Sequence, residues 1–208
     1  MRVTPQAKAQ TEQAILEHAR RLFTRKGLEA TSTREIATAA GIAVGTLFNY
    51  HASKEALALA IAADAFAAGR EEAQRRLEAC GPNSLEADLF TLIACDLRAL
   101  QGIRPFVGEL LDAGLAPFVG GSPTADASPI RAHRLADAHA VLTRHGAGLG
   151  GTPALMHLYW SLYLGVLSFW AGDPSPNQED TLALLDRSVR MFAGAVRPAP
   201  GASGAAGA

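Results

Sequence analysis

The sequence predicts an all-α protein with a small helical domain at its N-terminus and a larger helical domain behind it. Alanine, leucine and charged residues dominate, and no stretch shows the sustained apolar-polar alternation of a β-strand. Apolar residues instead recur at helical spacing, and segments rich in glycine and proline separate the periodic stretches. With 208 residues, of which 49% are hydrophobic, the chain is long enough to form two cores.

The first helix is predicted to follow a flexible arm of residues 1–8. Thr11 is a suitable N-cap, and Gly27 stands where a left-handed residue commonly ends a helix. The apolar residues of this stretch fall on one helical face, and they are Ile15, Leu16, Ala19, Leu22 and Phe23.

Two short helices follow. Ser32 and Glu35 have the spacing of a capping box, which opens a second helix ending near Gly41. A third helix is predicted from about Val44 to His51, and together with the first two it forms a three-helix domain over residues 9–52.

Longer helices make up the rest of the chain. Ser53 caps a connecting helix over residues 53–80, and a Gly-Pro-Asn break then opens a second domain over residues 81–197. Residues 116–129 are predicted to form a mobile loop, and residues 198–208 a disordered tail. The later helices are predicted at about Leu85 to Leu100, Pro105 to Leu115, Ile130 to His145, Pro153 to Ala171 and Asn177 to Val196.

The two short helices have the pattern of a helix-turn-helix. Small residues are needed where two helices cross steeply, and Ala37, Ala40 and Gly41 supply them. With Ile36, Ile42 and Leu47 in the core, the second short helix presents Thr46, Phe48, Asn49 and Tyr50 outward, on a rod narrow enough for the DNA major groove.

Each exposed residue of this unit has a predicted role at DNA. Thr33 and Arg34 would contact phosphates, and Arg34 also has the reach for a guanine edge. Asn49 and Thr46 are the predicted base readers, because asparagine pairs with adenine and the threonine methyl fits against thymine. Tyr50 and Lys54 would hold the DNA backbone. Val44 and Gly45, which begin the same helix, complete the predicted contact set.

The distribution of charge agrees with an anionic partner for this end of the chain. Residues 1–54 carry eight lysines and arginines against four glutamates, a balance of +4, whereas the remainder carries −5.

The stretch from about Ile15 to Phe66 resembles the DNA-binding domain of the TetR family of regulators. The similarity covers about a quarter of the chain, and its motifs are Ala19-x-x-Leu22-Phe23-x-x-x-Gly27, Ile36-Ala37-x-x-Ala40-Gly41, Gly45-Thr46-Leu47-Phe48-x-Tyr50 and Ser53-Lys54-Glu55-x-Leu57. The resemblance implies DNA contacts at the positions of Thr33, Arg34, Thr46, Phe48, Tyr50 and Lys54. This chain departs from the family pattern at two positions. Phe48 stands where the family often has tyrosine, and His51 stands where an aromatic residue such as phenylalanine is frequent.

Dimerisation is expected because two helix-turn-helix units, here called reading heads, can enter successive major grooves of a palindromic operator when they lie about 34 to 36 Å apart. Ser161, Gly165, Ser168 and Gly172 form a stripe of small residues that permits close contact between helices. The family resemblance implies a four-helix bundle built from the last two helices of each subunit, with Leu182, Leu185, Val189 and Phe192 facing it. Packing of these stripes within one subunit is the alternative.

The resemblance also implies a small-molecule pocket in the second domain, whose occupation releases the DNA. Candidate lining residues are Cys95, Phe106, His157, Trp160 and Tyr163, although ordinary core packing explains each of them as well.

Other classes of protein are disfavoured. Two cysteines are too few for a disulfide framework, no secretory leader opens the chain, and the apolar stretch 154–171 reads as a helix buried on most of its circumference. The G-x-G-x-x-G match at Gly146 to Gly151 lacks a β-α-β context, and the six histidines show no metal-binding spacing. The expected protein is a cytoplasmic repressor without catalytic residues, metal or cofactor, and the alternative is an all-helical small-molecule-binding protein or enzyme with an incidental helical hairpin.

Overall fold

A computed structural model describes residues 4–81, 83–111, 128–147 and 152–196, and all regular secondary structure in these ranges is helical. The predicted all-α class is therefore confirmed. Two short 3₁₀ helices, Leu100–Phe106 and Pro176–Gln178, precede the sixth and ninth α-helices. The α-helices are α1 (Pro5–Lys26), α2 (Thr33–Ala39), α3 (Val44–Phe48), α4 (Lys54–Ala79), α5 (Leu85–Ala99), α6 (Val107–Leu110), α7 (Ser128–Arg144), α8 (Pro153–Gly172) and α9 (Glu179–Val196).

Helix α1 begins earlier than predicted, inside the stretch expected to be an arm. Thr4 caps it, because its Oγ1 accepts the Ala7 N–H at 3.2 Å, and Pro5 occupies the first turn, where a missing N–H has no cost. The Thr11 hydroxyl instead donates to the Ala7 carbonyl at 2.9 Å within the helix. Thr4 is therefore the N-cap of α1, and Thr11, the predicted N-cap, lies inside the helix.

The region before α6 also differs from its prediction as one α-helix from residue 105 to residue 115. Pro105 has no N–H to donate and lies inside a 3₁₀ helix, so α6 begins at Val107 and not at residue 105; residues 112–115 lie outside the described residues. The predicted mobile loop up to residue 127 and the tail from residue 198 lie outside the described residues, as does part of the Gly146 to Gly151 motif.

The described residues group into two compact units. The first contains residues 4–69, 96–111 and 128–130, and the second contains residues 70–81, 83–95, 131–147 and 152–196. In the first unit α1, α2, α3 and the start of α4 enclose an apolar core that includes Ile15, Phe23, Ile36, Leu47 and Leu57.

The second unit is organised around the packing of α9 on α8. Among the described residues, α8 is the one helix that is long and apolar enough to cross a membrane by length and composition. Of its most apolar 18 residues, 39% are buried. Its interior face carries Tyr159, Trp160, Tyr163, Leu164, Val166, Leu167 and Trp170. The helix is thus buried on one face, and not on most of its circumference as predicted.

Charged groups inside the second unit are paired. The Asp137 carboxylate accepts from Arg70 Nε at 2.9 Å and lies 3.2 Å from Arg134 Nη2, and Arg134 is only 5% exposed. Asp88, which is 3% exposed, lies 2.8 Å from His145 Nε2. Such pairing offsets part of the cost of removing charge from water.

Candidate DNA-binding site

Helices α2 and α3 are held at a fixed crossing by a small apolar core. Ile36 and Leu47 are fully buried and Ala37 is 1% exposed, which allows the two backbones to approach. Gly41 adopts φ +68 in the turn, a left-handed conformation that favours glycine. The Ile42 N–H then donates to the Ala37 carbonyl at 3.0 Å and closes the turn.

The start of α2 has the predicted capping box. The Glu35 N–H donates to Ser32 Oγ at 3.2 Å, and the Ser32 N–H donates to Glu35 Oε2 at 2.9 Å. Lys26 also forms an ion pair with Glu35, and that hydrogen bond, followed by those from Ser32, lowers the pKa of Glu35 to about 2. Helix α2 therefore has its first turn anchored to the last turn of α1.

The predicted contact residues on α2 and α3 lie at the surface. Arg34, Gly45 and Asn49 are exposed, and Phe48 is 47% exposed despite its apolar side chain. The others are partly buried, and they are Thr33, Val44, Thr46 and Tyr50. Helix α3 is shorter than predicted and ends at Phe48, so Asn49 serves as its C-cap and Tyr50 lies in the turn that follows.

Lys8 lies beside this surface and was not indicated by the sequence. Its Nζ is 5.9 Å from the centroid of the Tyr50 ring, within the range of a cation–π contact. The residue escapes sequence reasoning because the first helix is predicted to begin after Thr11, which leaves Lys8 in an arm. Because α1 extends back to Pro5, the positive charge of Lys8 lies near Tyr50, just after the end of α3.

Lys54, which is predicted to hold the DNA backbone, has hydrogen-bond partners within its own chain. Its Nζ donates to the carbonyls of Leu28, at 3.0 Å, and Glu29, at 2.9 Å, so the ammonium group holds the loop between α1 and α2. Ser53 caps α4 as predicted, accepting the Ala56 N–H at 3.1 Å. An open depression on the same surface is lined by both residues together with Thr33 and Phe48.

The predicted pocket residues have unlike surroundings. Trp160 and Tyr163 stack in the interior of the second unit, with ring centroids 5.4 Å apart, and Cys95 is also buried there. Phe106 instead belongs to the core of the first unit, where it packs edge-on against Phe23 at 5.5 Å. His157 is exposed.

The predicted dimer residues divide between surface and interior. Gly165, Ser168 and Gly172 are exposed and Ser161 is partly buried on one stripe of α8, which also carries Leu158, 49% exposed, and Phe169, 46% exposed. Of the predicted dimer residues on α9, Leu182 is 40% exposed and is open to a partner. Leu185 and Val189 have exposures of 0% and 1%, because the amphipathic face of α9 packs within its own chain, and this corrects their assignment to the dimer interface.

The N-terminal part of the chain matches a known family. The family described as "Bacterial regulatory proteins, tetR family" matches residues 15–61, which span the second half of α1, all of α2 and α3, and the start of α4. No curated protein matches the chain.

Solved structures of regulators share the fold over most of the chain. A TetR-family repressor from Thermus thermophilus, FadR in complex with lauroyl-CoA, has a TM-score of 0.68 at 22% identity and covers 91% of this chain and 97% of its own. A TetR regulator from Nitrosomonas europaea has a TM-score of 0.65 at 20% identity over 88% and 98%. FadR from Bacillus subtilis in complex with stearoyl-CoA has a TM-score of 0.63 at 15% identity over 89% and 99%.

The fold and the site define a helix-turn-helix regulator, in which a small N-terminal DNA-binding domain precedes a larger helical domain. The match over residues 15–61 assigns this domain to a family, and the likeness to solved structures extends the same fold along the chain. Residues 15–61 thus match the DNA-binding domain of the TetR family of bacterial regulatory proteins, and the chain shares the fold of TetR-family regulators over most of its length.

Proposed function

We propose that the protein is a cytoplasmic homodimeric repressor that binds a palindromic operator and is released from it by a small-molecule effector. The observation that carries this proposal is the surface of α3, where polar and aromatic side chains stand outward from a helix fixed by the buried Leu47. An isolated helix of five residues would not be stable in water. Its orientation therefore depends on α2 and the turn glycine, an arrangement suited to a fixed reading head.

Within this head we assign different roles to α2 and α3. Asn49 and Thr46 are the proposed base readers, with Phe48, Val44 and Gly45 in apolar or backbone contact alongside. Thr33, Arg34 and Tyr50 are the proposed phosphate contacts, which determine register and not sequence.

The exposed stripe of α8 supports the proposed dimer. Large apolar side chains are rarely left half-exposed together on a monomer surface, and here Leu158 and Phe169 flank the small residues Gly165, Ser168 and Gly172 on the same face. Small side chains allow a partner helix to approach closely while the two large ones add buried apolar area. We infer that this stripe meets the equivalent stripe of a second copy.

The proposed effector is a small molecule with an apolar part, such as an acyl chain. Two of the structures with this fold are complexes with lauroyl-CoA and stearoyl-CoA, so acyl-CoA thioesters of different chain lengths are the first compounds to screen. Binding must favour a conformation with lower DNA affinity, because a ligand shifts an equilibrium only through its differential affinity for the two states.

The test of DNA binding is selection of bound duplexes from a random pool, followed by affinity measurements on the selected operator. Asn49→Ala should relax preference at one base position and cost about 1 to 3 kcal/mol there. Thr38→Ala, at an exposed position of α2 outside the proposed contact set, is the control and should leave preference unchanged. A protein that selects no duplex at low salt contradicts the proposal and favours the alternative, a small-molecule-binding protein or enzyme with an incidental hairpin.

The effector is tested separately by thermal shift. A compound that raises the midpoint of unfolding and also weakens operator binding supports the proposed regulation, since binding to the folded state raises stability by mass action. If no acyl-CoA has either effect, this effector class is excluded while the DNA-binding proposal stands.

A further inference from the structure

The loop between α1 and α2 is held by a carboxylate that lies eighty residues further along the chain. The Glu29 N–H donates to Oε2 of Glu109, in α6, at 2.8 Å. A backbone amide in a loop has no helical partner, so this charge-assisted bond determines where the loop lies. The contact falls within the first unit.

The second oxygen of the same carboxylate lies against Gly27. A methyl group added at Gly27 would come within 3.0 Å of Glu109 Oε1, and the backbone there has φ +87, which side chains rarely adopt. Both oxygens of Glu109 are therefore fitted to the backbone of this loop. Glycine is favoured by the local conformation, and a side chain here would crowd the Glu109 carboxylate.

The segment that carries Glu109 is itself packed on α1. Phe106, which immediately precedes α6, is fully buried with its ring 5.5 Å from that of Phe23, and Thr24 Oγ1 donates to the Gly102 carbonyl at 3.4 Å. Any displacement of α6 relative to α1 must therefore be transmitted to the bond between Glu109 and Glu29.

The loop in turn sets the entry into α2. Lys54 Nζ donates to the carbonyls of Leu28 and Glu29. Both the N–H and the C=O of Glu29 are therefore bound by side chains from other helices. Three residues after Glu29, Ser32 caps α2. A shift in the loop thus moves the first turn of α2, and with it the α2–α3 pair.

We propose that Glu109 is a positioning residue for DNA binding, which places the α2–α3 pair by holding the Glu29 amide. The inference rests on the proposed DNA-binding function and deepens it, because it names one residue outside the helix-turn-helix that positions α2 and α3.

The test compares Glu109→Ala with Glu109→Gln in the full chain on the selected operator. Glutamine keeps an acceptor oxygen at the same reach, so its affinity should remain within about twofold of the original, whereas alanine should weaken binding by about three- to tenfold. Amide hydrogen exchange should become faster at Glu29 in the alanine variant and not in the glutamine variant. Glu78→Ala, at an exposed glutamate of α4, is the matched control and should change neither quantity.

Glu109→Asp provides a second variant if the alanine protein does not fold. It keeps the charge but is one methylene shorter, so the bond should be lost and the affinity should fall as for alanine. An unchanged operator affinity in both the alanine and aspartate variants overturns the inference, as does equal weakening in the glutamine variant. If the unaltered protein selects no duplex, the proposed function fails, and the inference fails with it.

Discussion

Lys54 illustrates how a side chain predicted to contact DNA can also have partners within its own chain. Its position beside α2 and α3 agrees with the sequence pattern, but its ammonium group already donates to two carbonyls of the α1–α2 loop. Arg34, in contrast, is exposed on α2. The two cations of the same surface should therefore respond differently to removal.

We predict that Lys54→Ala weakens binding to all duplexes while leaving the salt dependence almost unchanged. Arg34→Ala is the matched comparison and should lower the magnitude of the salt slope by about one, because a lost phosphate contact releases one counterion fewer. Operator affinities measured over a range of salt concentrations distinguish the loss of a phosphate contact from the loss of a bond that holds the loop. A slope that falls by about one in the lysine variant would show that Lys54 contacts phosphate directly, as the sequence predicts.

At the scale of the secondary-structure element, the short α2 depends on its cap. Ser32 Oγ accepts the Glu35 N–H, and the Glu35 side chain returns a bond to the Ser32 N–H while it also pairs with Lys26. A helix of seven residues gains little from propensity alone, so these bonds determine whether its first turn is ordered.

Ser32→Ala should lower the free energy of unfolding by about 1 kcal/mol, the usual cost of losing an N-cap. Amide exchange in the first turn of α2 should also become faster. Ser32→Asp, which keeps an acceptor at the cap, is the control and should retain most of the stability. Equal loss in both variants would show that the hydroxyl acts by packing and not by capping.

The turn between α8 and α9 is stabilised by a buried carboxylate. Asp173, which is 4% exposed, accepts from the Thr181 N–H at 3.0 Å, from the Thr181 hydroxyl at 2.5 Å and from the Ser175 N–H at 2.8 Å. Hydrogen bonds from the Thr181 side chain, followed by those from Ser175, hold the pKa of Asp173 well below its usual range against the opposing effect of burial.

Asp173→Ala should therefore lower the midpoint of thermal unfolding at neutral pH. Because the pKa is lowered in the folded state, this stabilisation is complete above the ordinary aspartate pKa of about 3.9 and is lost as the pH falls further. The gap between variant and original should narrow in unfolding curves taken near pH 3. Asp186→Ala, which removes a surface pair with Arg190, should have a small effect at both pH values. A gap at Asp173 that does not vary with pH would contradict this assignment.

At the scale of the whole molecule, helix α8 separates an interior face from an exposed one. The aromatic residues of the interior face pack within the second unit, while Leu158 and Phe169 remain about half exposed on the other. The proposed dimer accounts for a helix that is apolar over its whole length, since a second copy would give the exposed face an apolar environment as well.

Phe169→Glu should convert the proposed dimer into a monomer, because it places a charge in an apolar interface. Sedimentation velocity would report the mass, and operator affinity should fall roughly a hundredfold as two linked heads become separate. Ala136→Glu, at an exposed position of α7 in the same unit, is the control and should leave the mass unchanged. A variant at Phe169 that stays dimeric would place the interface on another surface.

The sequence by itself determined the class, the presence of the helices although not all of their bounds, and the place of the helix-turn-helix. The capping box, the turn glycine and the buried Ile36 and Leu47 all act within about twenty residues of one another, so their signals survive in the local pattern. The same holds for the exposed small-residue stripe of α8, whose spacing matches the helical period.

Only the tertiary structure decided which groups meet across long separations. The bonds that Lys54 and Glu109 make to one loop, the packing of Phe106 in the core of the first unit and the burial of Leu185 and Val189 depend on which helix lies opposite each face. An amphipathic pattern records that a face is apolar, but it does not record what covers that face. Likewise, the sequence shows that a side chain is charged, while its partner is set by the neighbours that folding brings to it.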